Sequence, residues 1–133
     1  MSKLACQCGH VISDKTDRLP YKAKFLPDVH DEAFFVAIAD GAQSFAAAVA
    51  KDEREAWIKR RFLDGYPRDL SDADAFGDFV ISLWLRYSRT CYESTACGRL
   101  HLQERGESNA FISFESASGV YEGILQATTK LDA

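Results

Sequence analysis

The sequence predicts an α+β fold, and three observations carry that expectation. From Phe35 to Tyr87 apolar residues recur at three- and four-residue steps, the period of a helix face turned toward a core. After Arg89 the period changes to short alternating segments bounded by turn residues, which suits a β-meander. Ahead of the helices, "KLACQCGHVIS" is a brief segment broken by Gly9, with Val11 and Ile12 suited to a strand. The expectation is one domain over residues 1–133. Its β part comprises 1–28 and 88–116, and 29–87 forms a two- to three-helix insert.

Each element follows from local chemistry. In "DKTDRLPYKAKFLPD" Pro20 and Pro27 fix an extended or looped path. Asp28 or Asp31 can then cap a first helix, whose buried stripe reads Phe35, Ile38, Ala42, Phe45 and Val49, with Gly41 a weak point. "KDEREAWIKRRFLDGYP" reads as further helix, stopped by Asp64-Gly65 and Pro67. The clearest helix is "DLSDADAFGDFVISLWLRYSR". Ser71 and Asp74 stand in capping-box positions, and Phe76, Phe79, Val80, Leu83, Trp84 and Tyr87 mark one face, widened by Ile81 and Leu85. Beyond it "TCYES", "RLHLQ" and "NAFISFE" read as strands, and "ERGES" as a turn around Gly106. "VYEGILQ" reads as a last helical turn or two, and "ATTKLDA" as a frayed end.

Bulk composition excludes several classes. A chain of 133 residues, 47% apolar and 27% charged, can bury a core of its own and is not of disordered type. Sixteen basic against twenty acidic residues give a net charge of −4, which argues against a phosphate-backbone binder. "MSKLACQCGH" lacks the apolar stretch of a signal peptide, and too little precedes Cys6 for its "LAC" to be a lipoprotein cleavage box. No apolar run approaches ~18 residues, so no segment is expected to span a bilayer. The expected location is therefore the cytoplasm, where clustered cysteines are metal ligands or reactive thiols more often than disulfides.

The four cysteines are the sharpest feature. Cys8-Gly9-His10-Val11 and Cys97-Gly98-Arg99-Leu100 share one pattern: cysteine, glycine, a polar residue, then an apolar residue entering a strand. That is the shape of a zinc knuckle, in which glycine reaches positive φ and lets backbone N–H groups point at a thiolate. Cys6 and Cys8 lie on one face of an extended chain, so both sulfurs reach one ion. Cys91 and Cys97 bracket a longer stretch than knuckles use, and His10 and His101 are the natural substitutes for Cys91. The expected set is Cys6, Cys8, Cys91 and Cys97 around one structural Zn²⁺, with free core thiols and disulfides as the other two readings.

Cys6, Cys8-Gly9, Cys97-Gly98 and the strand "RLHL" resemble a zinc ribbon interrupted by a helical insert. "CQCGHVISDKTDRLPYKAKFLPD" with "CGRLHL" is similar to small bacterial proteins that open with CxCG and carry an LPYKA-like segment. Some of these are thought to be immunity proteins. The resemblance implies a zinc-ribbon-like β-element, a structural zinc and a protein toxin as partner. It covers roughly residues 1–28 and 88–115.

Asp69, Asp72 and Asp74, with Asp78, lack the order of a calcium loop; they suit either a helix N-terminus or a surface for a basic partner. "KRR" at 59–61 reads as a solvated helix face beside Glu55. Cys/His catalysis has no third, base-orienting residue in view. Trp57 and Trp84 read as core. The expected function is non-enzymatic protein binding, with toxin neutralisation by active-site occlusion through Asp69, Asp72 and Asp74. The rivals are a nucleic-acid-associated zinc ribbon and a metal-dependent enzyme with an open coordination position. No membrane partner is expected.

Overall fold

The computed structural model describes residues 3–105 and 108–126, and the chain divides into two compact units. One contains the N-terminal stretch through Leu26 and the chain from Ser88 onward; the other is Pro27–Tyr87. Three helices and two antiparallel sheets make the protein α+β.

In the first unit, β1 (Lys3–Ala5) and β2 (Val11–Ser13) form a hairpin, with Lys3 opposite Ser13 and Ala5 opposite Val11. A second sheet runs in the order β3 (Lys22–Phe25), β4 (Arg89–Glu93), β5 (Leu100–Gln103) and β6 (Phe111–Phe114). Every pairing in it is antiparallel. β4 is central, and Thr90 through Glu93 are buried. The extended path expected between the prolines is the strand β3; Pro20 and Pro27 stay outside its ladder, where a missing N–H breaks no pairing.

The helix expected at 120–126 does not form; only a turn is present near Ile124 and Leu125. Its physical cause is Glu93, a carboxylate only 2% exposed. The Glu93 oxygens accept from the backbone N–H of Glu122 at 3.2 Å and of Ile124 at 3.0 Å. A buried carboxyl group needs such donors, and the two N–H groups turned to Glu93 are not available to a helix. The turn expected at Gly106 and the frayed end at 127–133 lie outside the described residues.

The second unit holds α1 (Asp28–Ala50), α2 (Arg54–Arg61) and α3 (Asp72–Tyr87). Pro27 takes the N-cap position of α1. Asp28 and Asp31 therefore sit in its first turn, where they favour the helix dipole rather than cap it. The buried stripe is Phe34, Gly41, Phe45 and Ala48. It is rotated from the expected one, leaving Phe35 59% and Val49 39% exposed. Gly41 explains the rotation: a Cβ there would lie 2.2 Å from the Phe79 ring of α3, so glycine must face inward.

The expected continuation into α2 is interrupted at Asp52, whose φ of 57° ends α1 in a left-handed residue. Trp57 of α2 is fully buried among Phe45, Ala48, Ile58 and Ala75. Its ring centroid lies 4.6 Å from Phe45 and 5.4 Å from Phe79, its indole N–H donates to Ser44, and Arg61 covers its face at 4.3 Å. Ser71 caps α3 by accepting from the Asp74 N–H at 3.1 Å. Ile81 and Leu85, expected to widen the buried face, are 56% and 53% exposed.

One expectation about membranes is corrected by α1. The helix is long and apolar enough to cross a bilayer by length and composition, with a mean hydropathy of 1.5 over an 18-residue window. Asp40, Gln43 and Ser44 interrupt its apolar residues, which hides the helix's overall apolarity in the sequence. The face bearing Phe34, Gly41, Phe45 and Ala48 is nevertheless spent on packing within its own unit.

Candidate metal centre

Two tight turns of the β unit build the site. In the first, between β1 and β2, the Cys6 N–H donates to the His10 carbonyl at 2.8 Å and the Gly9 N–H to the Cys6 carbonyl at 3.0 Å. Gly9 closes this turn at φ 96°. In the second, between β4 and β5, the Ser94 N–H donates to the Arg99 carbonyl and the Gly98 N–H to the Ser94 carbonyl, both at 2.8 Å. Gly98 sits at φ 77°, and a Cβ there would meet the Val120 carbonyl oxygen at 2.1 Å. Each glycine is thus required by conformation, as the paired Cys-Gly pattern implies.

These turns bring three sulfurs together. The Sγ atoms of Cys6, Cys8 and Cys97 lie within 4.8 Å of one another, with Cys6 and Cys97 3.6 Å apart. Zn–S bonds near 2.3 Å in a tetrahedron imply sulfur separations of about 3.8 Å, so the spacing fits one ion. All four cysteines are free thiols. Cys91 stands outside this group, contrary to the four-cysteine expectation. It is buried in the middle of β4, opposite Ala23 of β3 and Leu102 of β5, and its ladder neighbours hold it away from the turn where Cys97 projects.

The histidines offered as substitutes stand outside the group of three, although the buried His101 Nε2 has no hydrogen-bond partner. His10 shares a 3.2 Å hydrogen bond with the Thr95 hydroxyl beside the site. His101 is 2% exposed on β5 and shares a 2.7 Å bond between Nδ1 and the Ser113 hydroxyl.

The residue that sequence reasoning missed is Ser94. It is fully buried, and its Oγ lies 3.8 Å from the Cys8 sulfur. The same oxygen accepts from the backbone N–H groups of Ala96 at 3.3 Å and Cys97 at 3.4 Å. A signal was available: Ser94-Thr95-Ala96-Cys97-Gly98 has the two-residue gap of a knuckle that the Cys91–Cys97 pair lacks.

The thiols are electrostatically unlike. The Ser94 hydroxyl and the Arg99 backbone N–H pull Cys97 down to about 6, and the Arg99 guanidinium lies 3.7 Å from its sulfur. Burial pushes the Cys6 thiol up, and its sulfur lies 3.6 Å from that of Cys97. Burial, and then Glu93, raise Cys91 as well. Chemically, the cluster is a soft donor set suited to Zn²⁺ or Cu⁺, and the lowered Cys97 pKa favours the thiolate that a metal needs.

The family model described as "Domain of unknown function (DUF8617)" matches residues 2–118, a span that includes both turns. The chain belongs to the DUF8617 family. No curated protein and no solved structure is significantly similar to it. In this DUF8617 member the acidic trio is divided by its contacts. Asp72 accepts from the Arg54 Nε at 2.8 Å, and Arg54 also donates to the carbonyls of Arg68 and Leu70. Asp69 and Asp74 are exposed.

Proposed function

We propose that this DUF8617 member is a non-enzymatic, cytoplasmic protein-binding module whose β unit is clamped by a structural Zn²⁺ on Cys6, Cys8 and Cys97. The observation that carries the metal reading is the meeting of Cys6 and Cys97 sulfurs at 3.6 Å across 91 residues of sequence. Free thiols gain little from such convergence, whereas a metal converts it into folding free energy on the order of 10 kcal/mol. The test is metal content. Protein purified under reducing conditions should hold about one zinc per chain, and Cys97→Ser should lose it; metal-free wild-type protein would remove the reading.

The binding role draws on exposed apolar side chains. Phe35 is 59%, Leu63 90% and Val29 84% exposed on the helical unit, the residue types that partners cover. The resemblance of the CxCG opening to immunity proteins makes a toxin the concrete partner. Asp69 and Asp74 would steer toward a basic cleft, while Asp72 is committed to Arg54. Co-expression with the product of the adjacent gene should restore growth and give a tight complex; absence of both rejects the immunity role and leaves the metal clamp untouched.

A second reading, the metal-dependent enzyme, is favoured by one observation: three thiols gather, not four. A fourth position held by water predicts that azide or imidazole perturbs the spectrum of the Co²⁺ form.

A further inference from the structure

We infer that Ser94 is the fourth corner of the site, so that the chain holds its ion with three thiolates and one hydroxyl oxygen. This deepens the metal reading above and rests on it. The geometry is that of a knuckle with oxygen in the place of sulfur. Ser94 opens the turn, Cys97 follows three residues later, and Gly98 closes it in the left-handed region. In such turns backbone N–H groups point at the first ligand atom. Here the Ala96 and Cys97 N–H groups point at the Ser94 Oγ. That oxygen is 3.8 Å from the Cys8 sulfur; mixed bonds of 2.3 Å to sulfur and about 2.1 Å to oxygen imply an edge near 3.6 Å.

Charge supports the assignment. Three thiolates around a divalent ion leave one net negative charge, and the Arg99 guanidinium at 3.7 Å from the Cys97 sulfur compensates it. A fourth thiolate would add a second negative charge to the site. The two N–H contacts to the hydroxyl are long, at 3.3 and 3.4 Å, so a lone pair stays open to the ion and the neutral oxygen adds a donor without adding charge. A hydroxyl is also a weaker donor to a soft ion than a thiolate, so this centre holds zinc less tightly than four cysteines would and gives it up more readily. The site is thus built for an exchangeable ion: the fold of the β unit responds to free zinc rather than locking it away.

Ser94→Cys and Ser94→Ala test this with Co²⁺ and Zn²⁺ added to the reduced full-length protein. Ser94→Cys should raise the sulfur-to-cobalt charge-transfer intensity by about a third, as three thiolates become four, and bind zinc about tenfold or more tightly against a chelator. Ser94→Ala should keep the three-thiolate intensity but bind severalfold more weakly. Unchanged intensity and affinity in Ser94→Cys, or wild-type affinity in Ser94→Ala, would overturn the assignment while leaving a three-cysteine site. Failure of wild-type protein to bind either metal overturns the metal reading instead. Rescue of tight binding by cysteine, the closest isostere, separates a ligand role from a merely structural one.

Discussion

Cys91 and Cys97 are separated by one strand end and behave as different residues. Cys91 is packed between β3 and β5, and Cys97 projects from the turn among other sulfurs. Cys91→Ala should therefore leave zinc stoichiometry unchanged and cost about 1 kcal/mol of stability, the loss of one small buried group. Cys97→Ser should abolish zinc. Metal analysis with urea denaturation of both variants checks the pair, and loss of zinc in Cys91→Ala would restore the four-cysteine set.

His101 offers a second test at this scale. Its burial, with Arg99 nearby, lowers its pKa below the ~6.5 of a free imidazole, so the unfolded chain takes up a proton first. The stabilisation is complete above about pH 6.5 and is lost as the pH falls toward the folded value. Asp14 is also depressed, because Lys22 at 2.7 Å and the Tyr92 hydroxyl outweigh the effect of burial. Its loss falls below the ~3.9 of a free carboxyl, clear of the histidine. Urea midpoints should drop with acid just below pH 6.5, and His101→Asn should flatten that slope; an unchanged slope assigns it to another group.

At the level of elements, α1 and α3 meet where Gly41 admits the Phe79 ring. Alanine at 41 would gain about 1 kcal/mol in helix propensity, yet its methyl must displace a ring wedged against Trp57 and Phe76. Overpacking of this kind costs about 1–3 kcal/mol, so Gly41→Ala should destabilise on balance. A thermal midpoint at or above wild type would show that Phe79 swings away freely. The longest elements were legible in the sequence, while the α1–α2 break at Asp52 and the absence of a helix at 120–126 were not. The helical period of "DAFGDFVISLWLRY" and the Ser71 cap gave α3, and the change of period after Arg89 gave three strands. Which face of α1 is buried was not legible. Phe34 and Phe35 are equally apolar, and only the ring waiting opposite Gly41 chooses between them.

At the level of the whole molecule, the two units have separate interiors. The helical unit is centred on Trp57, and the β unit holds the sulfur cluster with Glu93 and His101 buried in its sheet. Chelation should therefore act unevenly. Hydrogen exchange after zinc removal should accelerate in 3–13 and 94–103, while amides around Trp57 keep most of their protection. Uniform loss of protection would show that the metal supports both interiors.

Sequence by itself determined the α+β class, a helical block of two to three helices, the meander and the two Cys-Gly turns, because periodicity and glycine conformation are local properties that neighbours along the chain enforce. Only the tertiary structure decided the composition of the site. Cys91 was excluded and Ser94 included because convergence depends on which side chains leave the end of a strand, and strand pairing sets that. Residue type alone could not rank a buried hydroxyl above a fourth thiol. The difference lies in where the β4–β5 turn begins, at Ser94, and in the N–H groups that this turn directs at its oxygen.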